Sequence, residues 1–457
     1  MLRKIHRVYR LNLLERIKNN NYLSSFLILA SGTAVSQLIP ILVSPILARL
    51  YLPEDFGLLS LFLAVVSSVG MSVSGRYDLA MLLPRRISSA KQLLGLALWV
   101  TGFSSCASLF LIYLFKLTRS DFLGLQALQG WIFFIPLALM FTGMRTTLGY
   151  WANRNSDFRM LARIQLYQAI TVSLVSIVFG LVKPGFPGLM ISNIAGIFLG
   201  GIFLSIFYIN DLKYKTLSVS VRKIVCARQY KEFPCFNASS AVLDGITMGL
   251  PVFFIASYYS GNVIGFYGMV LRVSNAPLSF VSSSVGQIHL RKMIDLVHNG
   301  GNVRLYFLKI TGVLASIVSL PTIIFVLFSP WIFETVFGEK WREAGVYLQI
   351  LMPSLAVRFV VSTLSFTIDA TNNSHLGAIW KIIAFITTSI VFFIFAPGGD
   401  IYLFLKSMAI NRLLLPVLLS LTILIRFPAL FHLIDHLYQH QALPFLVLVR
   451  FRYLLRL

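Results

Sequence analysis

Apolar segments recur along this chain from residue 22 to residue 426 with only short breaks. Each is close to or above the roughly 20 residues a helix needs to cross a bilayer's apolar core of about 30 Å. In that solvent every backbone N–H and C=O must find its partner inside the protein, so long continuous apolar runs are confined to helices. The 457 residues are 57% hydrophobic and only 12% charged, about half the charge of a soluble domain. The expected fold class is therefore an all-α integral membrane protein. Residues 1–21 are basic and lead straight into a long span, so no cleavable signal peptide is expected.

Twelve spans are expected, at 23–50, 56–83, 92–117, 122–149, 164–182, 187–209, 234–258, 263–288, 307–329, 345–370, 377–396 and 401–425. A net charge of +23 would suit nucleic acid, but the basic residues lie in the connections between spans. That is the pattern that orients a membrane protein, and it excludes nucleic acid as a partner. With the amino terminus inside, inner segments carry 27 Lys/Arg and outer loops carry five. Both termini are thereby expected in the cytoplasm.

The longest inner loop divides the spans into two sets of six. The expected organisation is a basic cytoplasmic segment at 1–22, an N-terminal lobe at 23–209 and a basic interfacial linker at 210–233. A C-terminal lobe at 234–426 and a basic interfacial tail at 427–457 follow. The halves echo one another. Phe56-Gly57-Leu58 opens the second span as Ile264-Gly265-Phe266 opens the eighth, and both spans run to basic exits, Arg85-Arg86 and Arg291-Lys292. Each is preceded by a proline-bearing span, with Pro40 and Pro45 in the first and Pro251 in the seventh. Interrupted helices at matching places in two halves point to a transporter's binding site. Gln37, Pro40 and Pro251 are accordingly expected to line a central cavity between two pseudo-symmetric lobes. Even span numbers in each half make the repeat parallel.

Seven basic residues fall in or at the ends of spans. Arg49, Arg145 and Lys406 lie near enough to an end for their heads to reach water. Arg272, Arg358 and Arg412 lie deep, and Arg76 lies in the inner half of its span. A charge at the bilayer centre costs at least about 2.5–3.5 kcal/mol. Acidic partners inside spans are few: Asp78, Asp244 and, near an inner end, Asp369. Arg76, Arg272, Arg358 and Arg412 are the expected substrate-binding set, because a planar guanidinium fork grips phosphate bidentately. The competing reading is buried ion pairing that locks helices together. Asp244 is expected to pair with Arg272 across the seventh and eighth spans. It and Asp78 are the candidate coupling or ion-pair carboxylates. Arg76 and Asp78, two residues apart, point to different faces of a helix and are not expected to pair.

Other signals carry less. Glu54 and Asp55 are expected to cap the second span rather than to catalyse. His432, His436 and His440 recur at helical spacing, a possible zinc arrangement, but read better as the face of an interfacial helix. Cys106, Cys226 and Cys235 have no metal or disulfide spacing. No catalytic set stands out, and no cofactor or metal is expected.

Several stretches together resemble the oligosaccharide flippases of the polysaccharide-transporter family, within the multidrug/oligosaccharidyl-lipid/polysaccharide exporter superfamily. They are Leu50-Tyr51-Leu52-Pro53-Glu54-Asp55-Phe56-Gly57, then Gly75-Arg76-Tyr77-Asp78-Leu79-Ala80 with Leu83-Pro84. Ala227-Arg228-Gln229-Tyr230-Lys231-Glu232-Phe233-Pro234 and Gly265-Phe266-Tyr267 through Arg272-Val273 to Gly286-Gln287 complete the set. The resemblance covers roughly residues 25–425. It implies twelve helices in two lobes around a central cavity. It also implies transfer of an undecaprenyl-diphosphate-linked oligosaccharide, such as an O-antigen repeat unit, from the cytoplasmic to the periplasmic leaflet of a bacterial inner membrane. An ion gradient would drive it, and a glycan polymerase and chain-length proteins would act beside it. The rival readings are a drug or small-ion antiporter of the same superfamily and a membrane glycosyltransferase or ligase.

Overall fold

The computed structural model describes residues 20–117, 124–211, 221–298, 303–365 and 374–418. The basic segment before residue 20, Asp369, and the tail with its three histidines lie outside the described residues. Within them the long helices are α1 (Asn20–Leu50), α2 (Pro53–Gly70), α3 (Ile87–Leu117), α4 (Ile135–Arg154), α5 (Phe158–Val182) and α6 (Phe186–Phe207). The second lobe has α7 (Ser239–Tyr258), α8 (Gly261–His298), α9 (Val303–Phe337), α10 (Arg342–Leu364), α11 (Ser374–Phe395) and α12 (Ile401–Leu418). Eleven helical segments among the described residues are long and apolar enough to cross a membrane. The twelfth, α8, is 38 residues long and more polar, with Arg272, Asn275 and His289 in its sequence.

The helices form two lobes. In the first, α1 packs on α5, α5 on α6, α6 on α4 and α4 on α3; in the second, α9 packs on α10, α10 on α8 and α7 on α11. Helix α2 lies along both α8 and α7 and makes the main seam between the lobes. Membrane helices gain little from burying apolar surface against each other, so close backbone approach replaces it. The seam shows this at the matching glycines. A Cβ on Gly57 would come within 2.5 Å of the Gly261 carbonyl oxygen, and one on Gly265 within 1.8 Å of the Pro53 carbonyl oxygen. Further along, the Ser68 hydroxyl donates to the Gly245 carbonyl at 3.0 Å.

The end carrying the α1–α2 and α9–α10 connections, which the charge split assigns to the outside, is cross-linked between lobes. The Trp341 indole N–H donates to the Ala48 carbonyl at 2.8 Å, and the Lys340 ammonium to the Tyr51 carbonyl at 2.7 Å. Phe56 meets the Trp341 ring edge-on at 5.2 Å. Tyr51 lies in the α1–α2 connection, and burial pushes its phenol up to about 12. It stays protonated and donates to the Ser176 carbonyl at 2.7 Å.

One expected span is corrected. The second span is not a continuous helix over 56–83: α2 stops at Gly70, and the chain turns before a four-residue helix at Tyr77–Ala80. The cause is a Ser/Gly-rich stretch ending in Gly75 and Arg76, which take φ of +61° and +58°. That left-handed backbone is open to glycine and unusual for arginine, and it cannot continue a right-handed helix.

Candidate functional site

The deep arginines occupy three different settings. Arg358 projects from α10 and Arg412 from α12, close enough for the Arg412 charge to bear on Arg358. The Arg358 Nη2 donates to the Met248 Sδ of α7 at 3.2 Å. The Tyr267 phenol of α8 lies in range of Arg358, and its buried oxygen has no hydrogen-bond partner. Among the described residues the ion pairs are Lys91–Asp211, Arg342–Glu334 and Lys381–Asp244. Neither Arg358 nor Arg412 belongs to one, so two like charges face each other inside the second lobe. Such a pair is costly unless an anion joins it.

Arg272 reaches from α8 across the lobe boundary. Its Nε donates to the Ser44 hydroxyl at 2.8 Å and its Nη2 to the Pro40 carbonyl at 3.5 Å. Its guanidinium carbon stands 5.7 Å from the Phe56 ring centroid, in cation–π range. Pro40 and Pro45 lie within the continuous helix α1, and a proline leaves a carbonyl four residues back without its helical N–H. Beside Arg272, a cavity of about 380 Å³ opens between α1, α8, α9 and α10, lined by Ile41, Val273, Leu278, Pro321, Phe325 and Met352 among others. Its walls are apolar.

One expectation about partners is corrected, and one about helix geometry. Asp244 does not pair with Arg272; its Oδ2 lies 2.7 Å from the Lys381 Nζ on α11, which also donates to the Ser240 hydroxyl at 3.3 Å. The helix rotation explains it. Neighbouring Gly245 is pressed against α2 at Ser68, which turns Asp244 toward α11. Arg76 does not project from a helix: its Nη1 folds back on the Met71 carbonyl at 3.3 Å, and its Nε is buried without a partner. Asp78, buried in the same turn, accepts the Leu79 N–H at 2.9 Å, and makes no ion pair with Arg76. Arg154 of α4 braces this turn by donating to the Met81 and Pro84 carbonyls at 2.7 and 2.5 Å.

The remaining candidates fall apart by burial. Gln37 is half-buried on α1, its Oε1 enclosed without a partner. Pro251 is buried inside α7. Glu54 and Asp55 sit in the first turn of α2, and Asp55 accepts the Leu52 N–H at 3.0 Å, as a cap does. Sequence reasoning missed Tyr267 and Lys381. It also placed Arg145 at a rim, whereas α4 continues nine residues beyond it, about 14 Å.

A family described as polysaccharide biosynthesis protein matches residues 46–345. The chain belongs to that family. No curated protein matches it at a meaningful level. Among solved structures it is similar to the lipid II flippase MurJ in an inward closed conformation, with TM-score 0.68, 13% identity and 87% of each chain covered. It is also similar to a MOP superfamily transporter from Pyrococcus furiosus, with TM-score 0.58, 10% identity, and 89% of this chain and 96% of that one covered. A multidrug resistance MATE family transporter in an inward-facing conformation gives TM-score 0.57 and 14% identity over 88% and 94% of the two chains. At these identities the likeness is one of fold: twelve helices in two lobes, as the sequence pattern implied.

Proposed function

We propose that this family member is a flippase that carries an undecaprenyl-diphosphate-linked oligosaccharide, an O-antigen or related surface repeat unit, from the cytoplasmic to the periplasmic leaflet. The observation that carries the reading is the Arg358–Arg412 pair. Two guanidinium groups without acidic partners among the described residues, inside a membrane protein of polysaccharide biosynthesis, fit a diphosphate bound between them. The apolar cavity beside Arg272 has the chemistry to hold part of a polyprenyl chain while its head lies among cations. Arg76 would meet the cargo at the opposite end of the first lobe. In this reading nothing is transformed: the protein is a transporter and not an enzyme. It sits in the inner membrane with both termini in the cytoplasm, alongside the polymerase and chain-length proteins that use its product. The Asp244–Lys381 pair is the element through which an ion gradient would act, because a proton on Asp244 releases Lys381.

The test is genetic and chemical together. Arg358→Ala and Arg412→Ala should abolish surface glycan, leave protein level and insertion intact, and accumulate lipid-linked repeat units on the cytoplasmic leaflet. Lysine at either position should rescue in part, keeping charge but losing the fork. Normal surface glycan with heightened drug sensitivity would sink the reading in favour of an antiporter. Loss of glycosyl transfer by purified protein carrying a Glu54 or Asp55 substitution would favour the enzyme.

A further inference from the structure

The first lobe contains a cation that the second lobe's arginine pair does not account for. Arg145 lies within α4, and its Nε is buried with no hydrogen-bond partner. Among the described residues its guanidinium enters no ion pair and no hydrogen bond. Around it the chain supplies space and neutral polar groups instead of carboxylates. At Gly200 of α6 a Cβ would stand 3.1 Å from the Arg145 Cδ and 3.6 Å from the Gln168 Oε1, so the arginine and the amide of α5 converge on that glycine. One turn from Gln168, Gln165 accepts the Thr33 hydroxyl of α1 at 2.8 Å. One turn along α1 from Thr33, back toward the level of Gln168, stands Gln37, with its own amide oxygen enclosed and unpartnered. Unmade hydrogen bonds of this kind inside a protein are costly, and the two here, at Arg145 and Gln37, mark a place where something else can make them.

The repeat gives this cluster a counterpart. α4 is the fourth helix of its lobe and α10 the fourth of the other; α6 and α12 are the sixth in each. Arg145 of α4 faces α6 at Gly200, as Arg358 of α10 faces α12 at Arg412. Each lobe therefore presents a fourth-helix arginine toward its sixth helix. Resting on the reading of the chain as a carrier of lipid-linked diphosphates, we propose that Arg145, with Gln168, is the first lobe's half of the anion site, and that it binds the cargo's phosphate from the side opposite Arg358 and Arg412. A diphosphate bound between the lobes would neutralise both cationic halves and favour the conformation in which they grip it together. A neutral or cationic cargo would give no such closure.

Purified full-length protein in detergent, titrated with farnesyl diphosphate and with uncharged farnesol, tests this. Arg145→Met keeps the stem and removes the charge; Arg49→Met, at the exposed end of α1, is the control for a lost surface charge. The expected result is a diphosphate affinity about tenfold or more weaker in Arg145→Met, a shallower salt dependence, and partial recovery in Arg145→Lys. Arg49→Met should bind as wild type, and all variants should elute as monodisperse protein. If Arg145→Met binds like wild type while Arg358→Met is weakened, the first-lobe site is refuted and the proposed function stands. If wild type shows no preference for farnesyl diphosphate over farnesol, the proposed function falls with it.

Discussion

Gly265→Ala is the sharpest single perturbation of the lobe seam. The added methyl would lie 1.8 Å from the Pro53 carbonyl oxygen, 2.5 Å from its carbon and 3.0 Å from its Cα. All three are backbone atoms, so no rotamer can relieve the overlap. α2 and α8 must part by about 1.5–2 Å to restore ordinary contact near 3.5 Å. Overpacking of this kind costs about 1–3 kcal/mol. If that cost falls on the conformation in which these helices touch, the balance shifts toward separated lobes by about 5- to 150-fold. The assay replaces Cys106, Cys226 and Cys235 by serine and places one cysteine at Ser60, which packs against Gly268 in the same seam. A membrane-impermeant thiol reagent added from outside should label this cysteine slowly in the parent and at least several-fold faster with Gly265→Ala. Gly312→Ala on α9, where a Cβ meets nothing within 4 Å, should leave the rate unchanged. Equal labelling in Gly265→Ala and Gly312→Ala would refute the claim that this contact holds the lobes together.

Two further outcomes are expected. Arg154→Ala removes the donor to the Met81 and Pro84 carbonyls and should destabilise the turn after α2 by about 2–3 kcal/mol, read as a lowered melting temperature of purified protein that Arg154→Lys only partly restores. For the Asp244–Lys381 pair, whose side chains are each 43% exposed, Asp244→Asn should change stability by less than about 1 kcal/mol yet reduce transport. The exchanged double variant Asp244→Lys with Lys381→Asp should recover transport if the pair itself matters, and a dead double variant would show that Asp244 acts elsewhere.

Much of the fold was legible because length and hydropathy alone decide what can cross a bilayer. Apart from the second, cut short at Gly70, the described helices overlap the apolar runs that predicted them, and the matched glycines at 57 and 265 both lie in the seam. What the sequence hid was rotation about helix axes. The pairing of Asp244 with Lys381, rather than Arg272, depends on which way α7 turns, and periodicity is weak in helices apolar on most faces. The break after Gly70 was hidden for the opposite reason. Apolar residues recur on both sides of the Ser/Gly-rich stretch 71–76, so the run read as one span, while the backbone turns there and takes left-handed φ at Gly75 and Arg76. At Arg145 the sequence showed a place near the end of a span but not the enclosed Nε, which depends on how α4 packs on α6.

The seam between the lobes has a property that side-chain interfaces lack. Where it is tightest the atoms in contact are main-chain atoms and hydroxyls, and beside the Ser68–Gly245 hydrogen bond their attraction is dispersion acting over a very short range. A gap of even 0.5–1 Å forfeits about a quarter to a half of it. The glycine-lined stretch of the joint behaves like a press-stud: stiff to small disturbances and nearly free of resistance once it has let go. Sensitivity to charge is left to its ends, where Lys340 and Arg272 reach across to main-chain and hydroxyl oxygens.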